Sequence, residues 1–170
     1  MIKEKYSCYV YGEGGKDRTF LQKLISFDKF QYHARKWVFQ FGNASGESPK
    51  TVLEKCNRES SPCDYDLVIC FIDLDKLKQD YPKSWKKEKA KLEKRYVNIS
   101  IIWQIDNAED EYRKGLGKIS KQCKGKNELN KLAKTNVQRF VNTGFWIRIF
   151  KPIQKKEKEL DRQRELLANN

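Results

Sequence analysis

The sequence lacks the features of a membrane protein and of a disulfide-stapled or zinc-ribbon domain. Its apolar runs fall far short of the roughly 20 residues that a membrane-spanning helix requires. The opening stretch, MIKEKYSCYVYGEGG, contains no apolar block of the signal-peptide kind. The cysteine count, five, is odd, and no C-x-x-C pair occurs. These absences predict a cytoplasmic protein with no membrane partner.

Cysteine and histidine are also poorly placed to bind a metal. Cys8 and Cys70 lie in apolar, strand-like runs, so we expect them in the core. Cys56, Cys63 and Cys70 are evenly spaced, but this spacing does not match that of zinc sites. His33 is the only histidine and has no partner at metal-ligand spacing, so we expect a structural role. The sequence therefore argues against zinc and against a histidine-based nuclease mechanism.

Positive charge is what the sequence has in excess. The 170 residues include 36 Lys and Arg against 23 Asp and Glu, a formal net charge of +13. Such a surplus attracts polyanions and favours nucleic acid as the partner. The alternative is a basic soluble protein without a nucleic-acid partner. The apolar fraction of 38% is enough for one core and leaves little to spare.

The order of the apolar segments predicts alternating strands and helices. The run LVICFI at 67–72 is unbroken, which is typical of a strand buried on both faces. Alternation of this kind implies right-handed crossovers and an α/β fold, with a mostly parallel four-stranded sheet flanked by helices. The predicted strands are Ser7–Tyr11, Trp37–Phe41, Leu67–Ile72 and Val97–Trp103, and the predicted helices follow Asp17 and cover Pro49–Asn57, Pro82–Arg95 and the segment from Glu109.

The alternation is predicted to end near residue 115. Residues 1–115 would form the catalytic domain, and residues 116–170 a mainly helical extension. Within the extension we expect a loop at 114–126, helix at 127–142, and a strand or helix end at 145–150. A charged helix should follow from Gln154, packing on the domain or on a partner in a homodimer or larger complex.

Acidic residues follow three of the predicted strands. Glu13 follows the first strand, Asp73 and Asp75 the third, and Asp106 the fourth. Functional groups gather at the carboxyl ends of parallel strands, where these acids would repel each other unless a cation lay between them. Oxygen ligands favour Mg²⁺ or Mn²⁺, which can polarise a phosphodiester. The alternative for each acid is simple solvation of a loop.

Two short motifs resemble those of TOPRIM domains. The segment YGEGGKDRTFL at 11–21 is similar to the opening motif of the OLD-family and RloB-like nucleases, in which a strand leads to Glu-Gly. The sequence IDLD at 72–75 resembles the TOPRIM Asp-x-Asp motif at the end of the third strand. The resemblance covers about residues 5–115. It implies a TOPRIM-like fold and a Mg²⁺-dependent endonuclease that acts in defence or in a mobile-element context.

The resemblance also implies roles for particular acids. Glu13 would be a general acid or base, or a metal ligand, and Asp73 and Asp75 would hold Mg²⁺. Asp17 matches an acid that helps to bind a second metal, although it can also cap the following helix. Asp106 opens an acidic segment, 106–111, that resembles one carrying further metal-binding acids. The alternative for this segment is a helix start, where acids favour the positive end of the dipole.

The sequence also departs from the family pattern. Lys76 stands where topoisomerases and primases often have a glycine after Asp-x-Asp. A P-loop, a zinc ribbon and a catalytic tyrosine context are all missing. These differences argue against a topoisomerase, a primase and a full-length OLD protein, and leave a compact nuclease.

Several basic residues are placed to meet nucleic acid. Lys16 and Arg18 flank Glu13 and can neutralise a scissile phosphate, which makes Lys16 a candidate catalytic residue as well. A Lys-rich helix beside the acids can follow a phosphate backbone, although each lysine can also simply solvate a helix face. The predicted nucleic-acid-binding residues are Lys16, Arg18, Lys76, Lys78, Lys86 and Lys87.

Three functions compete at this point. The first is a nuclease, dependent on Mg²⁺ or Mn²⁺, that hydrolyses phosphodiester bonds of DNA or RNA. The second is a non-catalytic, nucleic-acid-binding TOPRIM module within a larger complex. The third is a receiver-like domain that binds a nucleotide or phosphate, against which the net charge of +13 and the Glu-Gly-Gly turn both argue.

Overall fold

A fully parallel four-stranded sheet forms the centre of the molecule in a computed structural model, which describes residues 5–27 and 35–169. The strand order is β2-β1-β3-β4, with every neighbouring pair parallel. This confirms the predicted α/β class with a parallel sheet. The expectation for His33 lies outside the described residues. The strands are β1 Tyr6–Gly12, β2 Trp37–Asn43, β3 Leu67–Asp73 and β4 Ser100–Gln104.

Helices connect the strands and continue beyond the sheet. The α-helices of the described residues are α1 Gly15–Ile25, α2 Pro49–Ser60, α3 Leu74–Asp80, α4 Trp85–Arg95, α5 Ala108–Leu116, α6 Lys126–Thr135 and α7 Gly144–Ala168. Two 3₁₀ segments, Gly117–Gln122 and Val137–Phe140, link the last three of these helices. No helix in the described ranges is both long and apolar enough to cross a membrane.

Apolar side chains cover both faces of the sheet. One face packs against α1, α5, α6 and α7, and the other packs against α2, α3 and α4. Strand β3 supplies Phe71 to the first face and Ile72 to the second, so it is buried on both sides as its apolar run predicts. The predicted core positions of Cys8 and Cys70 are confirmed, since both are fully buried.

The C-terminal segment contributes a large part of the first core. Phe140 and Phe145 pack edge-on against Phe20 of α1, with ring centroids 4.8 and 5.6 Å from it. The patch at 145–150, for which strand and helix end were both considered, lies inside α7, whose first turn is capped by Thr143. The extension therefore packs on the sheet, and the boundary near residue 115 stays a prediction.

The segment at 114–126, predicted as a loop, instead contains the end of α5 and the 3₁₀ segment Gly117–Gln122, so that prediction is wrong. Other elements also differ. Helix α3, which begins directly after β3, has no counterpart in the prediction. The basic helix begins at Trp85, three residues later than expected, and β4 begins at Ser100 instead of Val97. The Ile99 amide donates to the Tyr96 carbonyl in a turn that leaves Val97 75% exposed. Apolar character alone does not show that Val97 belongs to this turn.

Candidate active site

Backbone hydrogen bonds fix the loops at the carboxyl edge of the sheet. The Gly46 amide donates to the Glu13 carbonyl at 3.0 Å, which ties the loop after β2 to the residue after β1. The Asp75 amide donates to the Asp106 carbonyl at 3.0 Å, which ties α3 to the turn after β4. The segments that carry the predicted acids are therefore held against one another.

Glu13 is buried at this edge and already has two partners. Its side chain accepts from the Asp73 amide at 2.9 Å through Oε2, and from the Lys76 ammonium through Oε1. Lys76 also donates to the Gly46 carbonyl at 3.0 Å. Burial lowers the pKa of Lys76, but the hydrogen bond and charge of Glu13 outweigh it, so the pKa is raised. Lys76 thus supplies a positive charge inside the acidic site.

Asp73 is the least satisfied acid of the site. Its Oδ1 is buried and has no hydrogen-bond partner among the described residues. The pKa of Asp73 is raised to about 8, chiefly by burial and then by the charges of Glu13, Asp17, Asp75 and Glu109. A cation beside Asp73 would reverse this effect, because an opposite charge favours the ionised carboxylate.

Asp17 joins the site from α1. The Tyr112 hydroxyl of α5 donates to Asp17 Oδ1 at 2.9 Å. The pKa of Asp17 is raised to about 6, chiefly by burial, which outweighs the lowering effect of the bonds from Tyr112 and the Gly14 amide. Asp17 lies in the first turn of α1 and is not its N-cap, which is Gly14 without a side-chain cap bond, so the predicted N-cap position of Asp17 is wrong. Asp17 therefore links the helix start to the acid cluster.

Asp75 and Asp106 are placed differently from each other. Asp75 Oδ2 accepts from Asn107 Nδ2 at 3.4 Å, and Asn107 Oδ1 caps α5 by accepting from the Asp110 amide at 2.9 Å. Asp106 contributes its carbonyl, adopts a positive φ of 66° and exposes its side chain. Its role as a metal ligand stays a prediction, whereas Glu109 acts electrostatically on both Asp73 and Asp17.

The predicted basic residues fall into separate groups. Lys16 is exposed and donates to Asn127 of α6, so it is directed towards a cleft that Lys124 and Lys126 also line. Arg18 is exposed on α1. The structure therefore brings Lys76 into the acid cluster and engages Lys16 with α6, an arrangement that sequence proximity to Glu13 does not reveal.

The remaining predicted lysines lie around α3 and α4. Lys78 and Lys86 place their ammonium groups 5.3 and 5.6 Å from the ring centroid of Trp85. Lys87 is exposed on α4. These residues form a basic and aromatic surface on α3 and α4. A surface of this kind is suited to contact with a phosphate backbone.

Models of known protein families give no match to this chain, and curated protein sequences give none either. Within residues 5–27 and 35–169, no three Asp, Glu, His or Cys side chains are arranged to hold a metal ion. The donor chemistry nevertheless fits Mg²⁺, because the unsatisfied buried atom is a carboxylate oxygen surrounded by other carboxylates. Cys63 is exposed while Cys56 and Cys70 are buried, which does not favour a cysteine site.

Three residues of this edge escaped the sequence reasoning. Tyr112 and Asn107 donate to predicted site acids, and Gln104 is a buried polar residue at the end of β4. Tyr112 lies three residues after Glu109, so helical spacing could have placed both on one face. The bond from Asn107 to Asp75 depends on how β3 and β4 align, for which the sequence carries no signal.

Proposed function

We propose that this protein is a Mg²⁺-dependent nuclease that hydrolyses phosphodiester bonds of DNA or RNA. The observation that carries the proposal is Asp73, whose buried Oδ1 has no hydrogen-bond partner in the described part of the chain. Four neighbouring carboxylates raise the pKa of Asp73 after burial has done so. A site built in this way is suited to a divalent cation, which would compensate the repulsion.

The residues at the carboxyl edge of the sheet have different roles in this proposal. Asp73 and Asp75 would hold the cation, with Asp17 and Glu109 as further carboxylates within electrostatic reach. The bound cation would polarise the phosphodiester and stabilise charge on its oxygens. Glu13, held by Lys76, is positioned to accept or donate a proton, and Lys76 offers a positive charge to the scissile phosphate.

The sequence motifs support the same proposal. The strand-Glu-Gly motif around Glu13 and the Asp-x-Asp motif at Asp73 stand in the order found in TOPRIM nucleases of the OLD and RloB types. The proposal therefore includes a TOPRIM-like fold for the α/β domain and a cytoplasmic role in defence or in mobile elements. The net charge of +13 supports a nucleic-acid substrate.

A second candidate is a nucleic-acid-binding module without catalysis. It is favoured by one contact, because the Lys76 ammonium already neutralises Glu13. The site then has an internal cation and can persist without a metal. In this case the protein would act within a larger complex, or as a homodimer through its C-terminal helix.

A cleavage assay separates the two candidates. Plasmid, single-stranded DNA and RNA are each incubated with purified protein in Mg²⁺, in Mn²⁺ and in EDTA. We expect metal-dependent cleavage, a loss of about 100-fold or more in Asp73→Asn, the usual scale for removing one electrostatic stabiliser, and no cleavage in EDTA. Binding without cleavage in either metal would leave only the second candidate.

The matched control is Asp161→Asn. Asp161 is a half-buried aspartate of α7 that accepts from Tyr6 and Lys36 at the start of the sheet, away from the acid cluster. The same change of side chain there should leave cleavage within about twofold of the wild type. An equal loss in both variants would mean that the fold, and not the site, is affected.

A further inference from the structure

Gln104 is a buried amide whose oxygen lacks a hydrogen-bond partner. It is the last residue of β4, and only 2% of it is exposed. Its Oε1 is buried, and none of the described residues donates a hydrogen bond to it. Leaving such a group unsatisfied is unfavourable, so its retention in the core requires a reason.

The register of the sheet places Gln104 beside Asp73. The two residues are direct partners across the β3–β4 ladder. Each lies two positions after a residue of the same core, Asp73 after Phe71 and Gln104 after Ile102. Because side chains alternate along a strand, both project from the face that α1 and α5 cover. Two buried, unsatisfied oxygens therefore lie on one face of neighbouring strands.

The donors at this edge are directed elsewhere. Lys76 donates to Glu13, Tyr112 donates to Asp17, and Asn107 donates to Asp75. An amide oxygen and an ionised carboxylate oxygen are both acceptors, so once Asp73 is ionised the two cannot hydrogen-bond to each other. A cation satisfies both at once, and amide carbonyls are ordinary oxygen ligands of Mg²⁺ and Mn²⁺ sites.

We propose that Gln104 Oε1 and Asp73 Oδ1 are ligands of the same divalent cation. This inference rests on the cation of the proposed function and adds a neutral ligand to its carboxylates. A neutral ligand takes less positive charge from the ion than a further carboxylate would. The ion can then attract a phosphate oxygen of the substrate more strongly.

Binding of Mn²⁺ alone, measured by the loss of the free-ion EPR signal, tests this assignment. Gln104→Met keeps the side-chain size but removes the amide, and we expect Mn²⁺ affinity to fall about tenfold or more. Gln104→Glu keeps an oxygen at the same position and adds charge, so it should bind Mn²⁺ at least as tightly as the wild type. Equal affinity of Gln104→Met and the wild type would overturn the inference and leave the proposed function standing.

A matched buried amide provides the control. Asn130 of α6 is 6% exposed and also has a buried oxygen without a partner, but it does not stand on the sheet. Asn130→Leu should leave Mn²⁺ affinity unchanged. An equal loss in this variant, or equal losses in Gln104→Met and Gln104→Glu, would show a packing or amide-donor role and overturn the inference. A wild type that binds no Mn²⁺ would overturn both this inference and the proposed function.

A second readout applies if Gln104→Met does not fold. The side-chain amide signals of Gln104 in the wild type can be assigned by their loss in Gln104→Glu. We expect Mg²⁺ to shift these signals and Mn²⁺ to broaden them strongly. Signals that stay unchanged at saturating Mg²⁺ would overturn the assignment of Gln104 as a ligand.

Discussion

The two ends of the sheet carry clusters of acids that differ in how well they are satisfied. At the amino end, buried Glu157 accepts from Trp37 Nε1 at 2.9 Å and from Lys36 at 3.1 Å. Asp161 on the same helix also accepts from Lys36, at 2.9 Å. At the carboxyl end, Asp73 Oδ1 has no hydrogen-bond partner within the described ranges.

The difference lies between acids that the protein pairs and an acid that it leaves unpaired in the part of the chain that the structure describes. Lys36 forms ion pairs with both Glu157 and Asp161, so the protein itself compensates the negative charge of these acids at the amino end. At the carboxyl end, the ammonium of Lys76 pairs with Glu13, and the neighbouring carboxylates still repel a negative charge on Asp73. Buried acids with a full set of hydrogen-bond and ion-pair partners hold elements together. A buried acid that lacks such partners is a candidate for binding a cation or another ligand.

The largest expected effect comes from breaking the amino-end cluster. Glu157→Leu removes the acceptor of Trp37 Nε1 and one carboxylate partner of Lys36. Because the buried Trp37 Nε1 is left without its acceptor and Lys36 keeps only Asp161, we expect the free energy of unfolding to fall by about 3 kcal/mol. Urea unfolding followed by circular dichroism measures it.

The control for that variant is Glu159→Leu, two residues along the same helix. Glu159 pairs with Lys156 at the surface, with its side chain 49% exposed. Exposed pairs of this kind contribute little, so we expect a change below about 0.5 kcal/mol. Equal effects of the two variants would remove the distinction between a buried cluster and surface pairs.

The next variant, Asp73→Asn, is expected to raise the free energy of unfolding, by an amount that depends on pH. The pKa of Asp73 is raised from 3.8 to about 8, chiefly by burial and then by Glu13 and its neighbours. The wild type therefore loses stability as pH rises from about 4 to about 8, because the unfolded chain releases this proton first. Asp73→Asn has no such proton, so in EDTA it should be more stable than the wild type by roughly 2 kcal/mol at pH 8.5.

The measurement is a pair of unfolding curves at pH 4 and pH 8.5. The advantage of Asp73→Asn should become much smaller at pH 4, where the folded carboxyl is protonated and the unfolded one is only partly ionised. Asp161→Asn is the control, because Asp161 has hydrogen-bond donors and should gain nothing at high pH. An advantage of Asp73→Asn that is the same at both pH values would contradict the electrostatic explanation.

The sequence alone predicts that Glu13, Asp73 and Asp75 lie at the carboxyl edge of the sheet. The run before Asp73 is apolar at every position, which indicates a strand buried on both faces, and the carboxyl ends of parallel strands share one edge. The positions of Glu13, Asp73 and Asp75 follow from this reasoning. Neither their partners nor their degree of burial follows, because both depend on how helices α1 and α5 pack over the edge.

Lys76 and Gln104 show where local reasoning stops. Lys76 was predicted to bind nucleic acid because it is basic and follows the Asp-x-Asp motif, but its ammonium contacts Glu13, 63 positions away in the sequence. Gln104 gives no signal in the sequence, and its significance comes from its register with Asp73. Contacts between distant segments decide both cases, and a single sequence does not encode them in any short pattern.

The two clusters should also differ in how Mg²⁺ changes the free energy of unfolding, although this effect is smaller. Mg²⁺ at ten times its Kd should stabilise the wild type by about 1.4 kcal/mol, because it binds only the folded protein. Asp73→Asn should lose this stabilisation and Asp161→Asn should keep it. Thermal unfolding at pH 7.5 with and without Mg²⁺ measures the difference. Equal stabilisation of the two variants would mean that Mg²⁺ binds somewhere other than Asp73.

The smallest effect concerns the hydrogen bond that Tyr112 donates to Asp17 in the carboxyl-end cluster. Tyr112→Phe removes the donor to Asp17 Oδ1. The pKa of Asp17 is raised to about 6, chiefly by burial, with the Tyr112 bond lowering it, so loss of that bond should raise the pKa above 6. Because the bond favours the ionised form, stability should fall by about 1 kcal/mol above pH 7, and by less below pH 5.

A carboxyl ¹³C NMR titration of Asp17 measures the pKa change, and unfolding curves at pH 5 and 7.5 measure the stability. Tyr65→Phe is the matched control, since the Tyr65 hydroxyl bonds to the neutral side chain of Gln40 at the surface and should leave the titration of Asp17 unchanged. An Asp17 titration that Tyr112→Phe does not move would mean that the hydroxyl does not govern this acid. The pKa of Asp17 would then be set by burial and by the charges of its neighbours, Glu13 and Glu109.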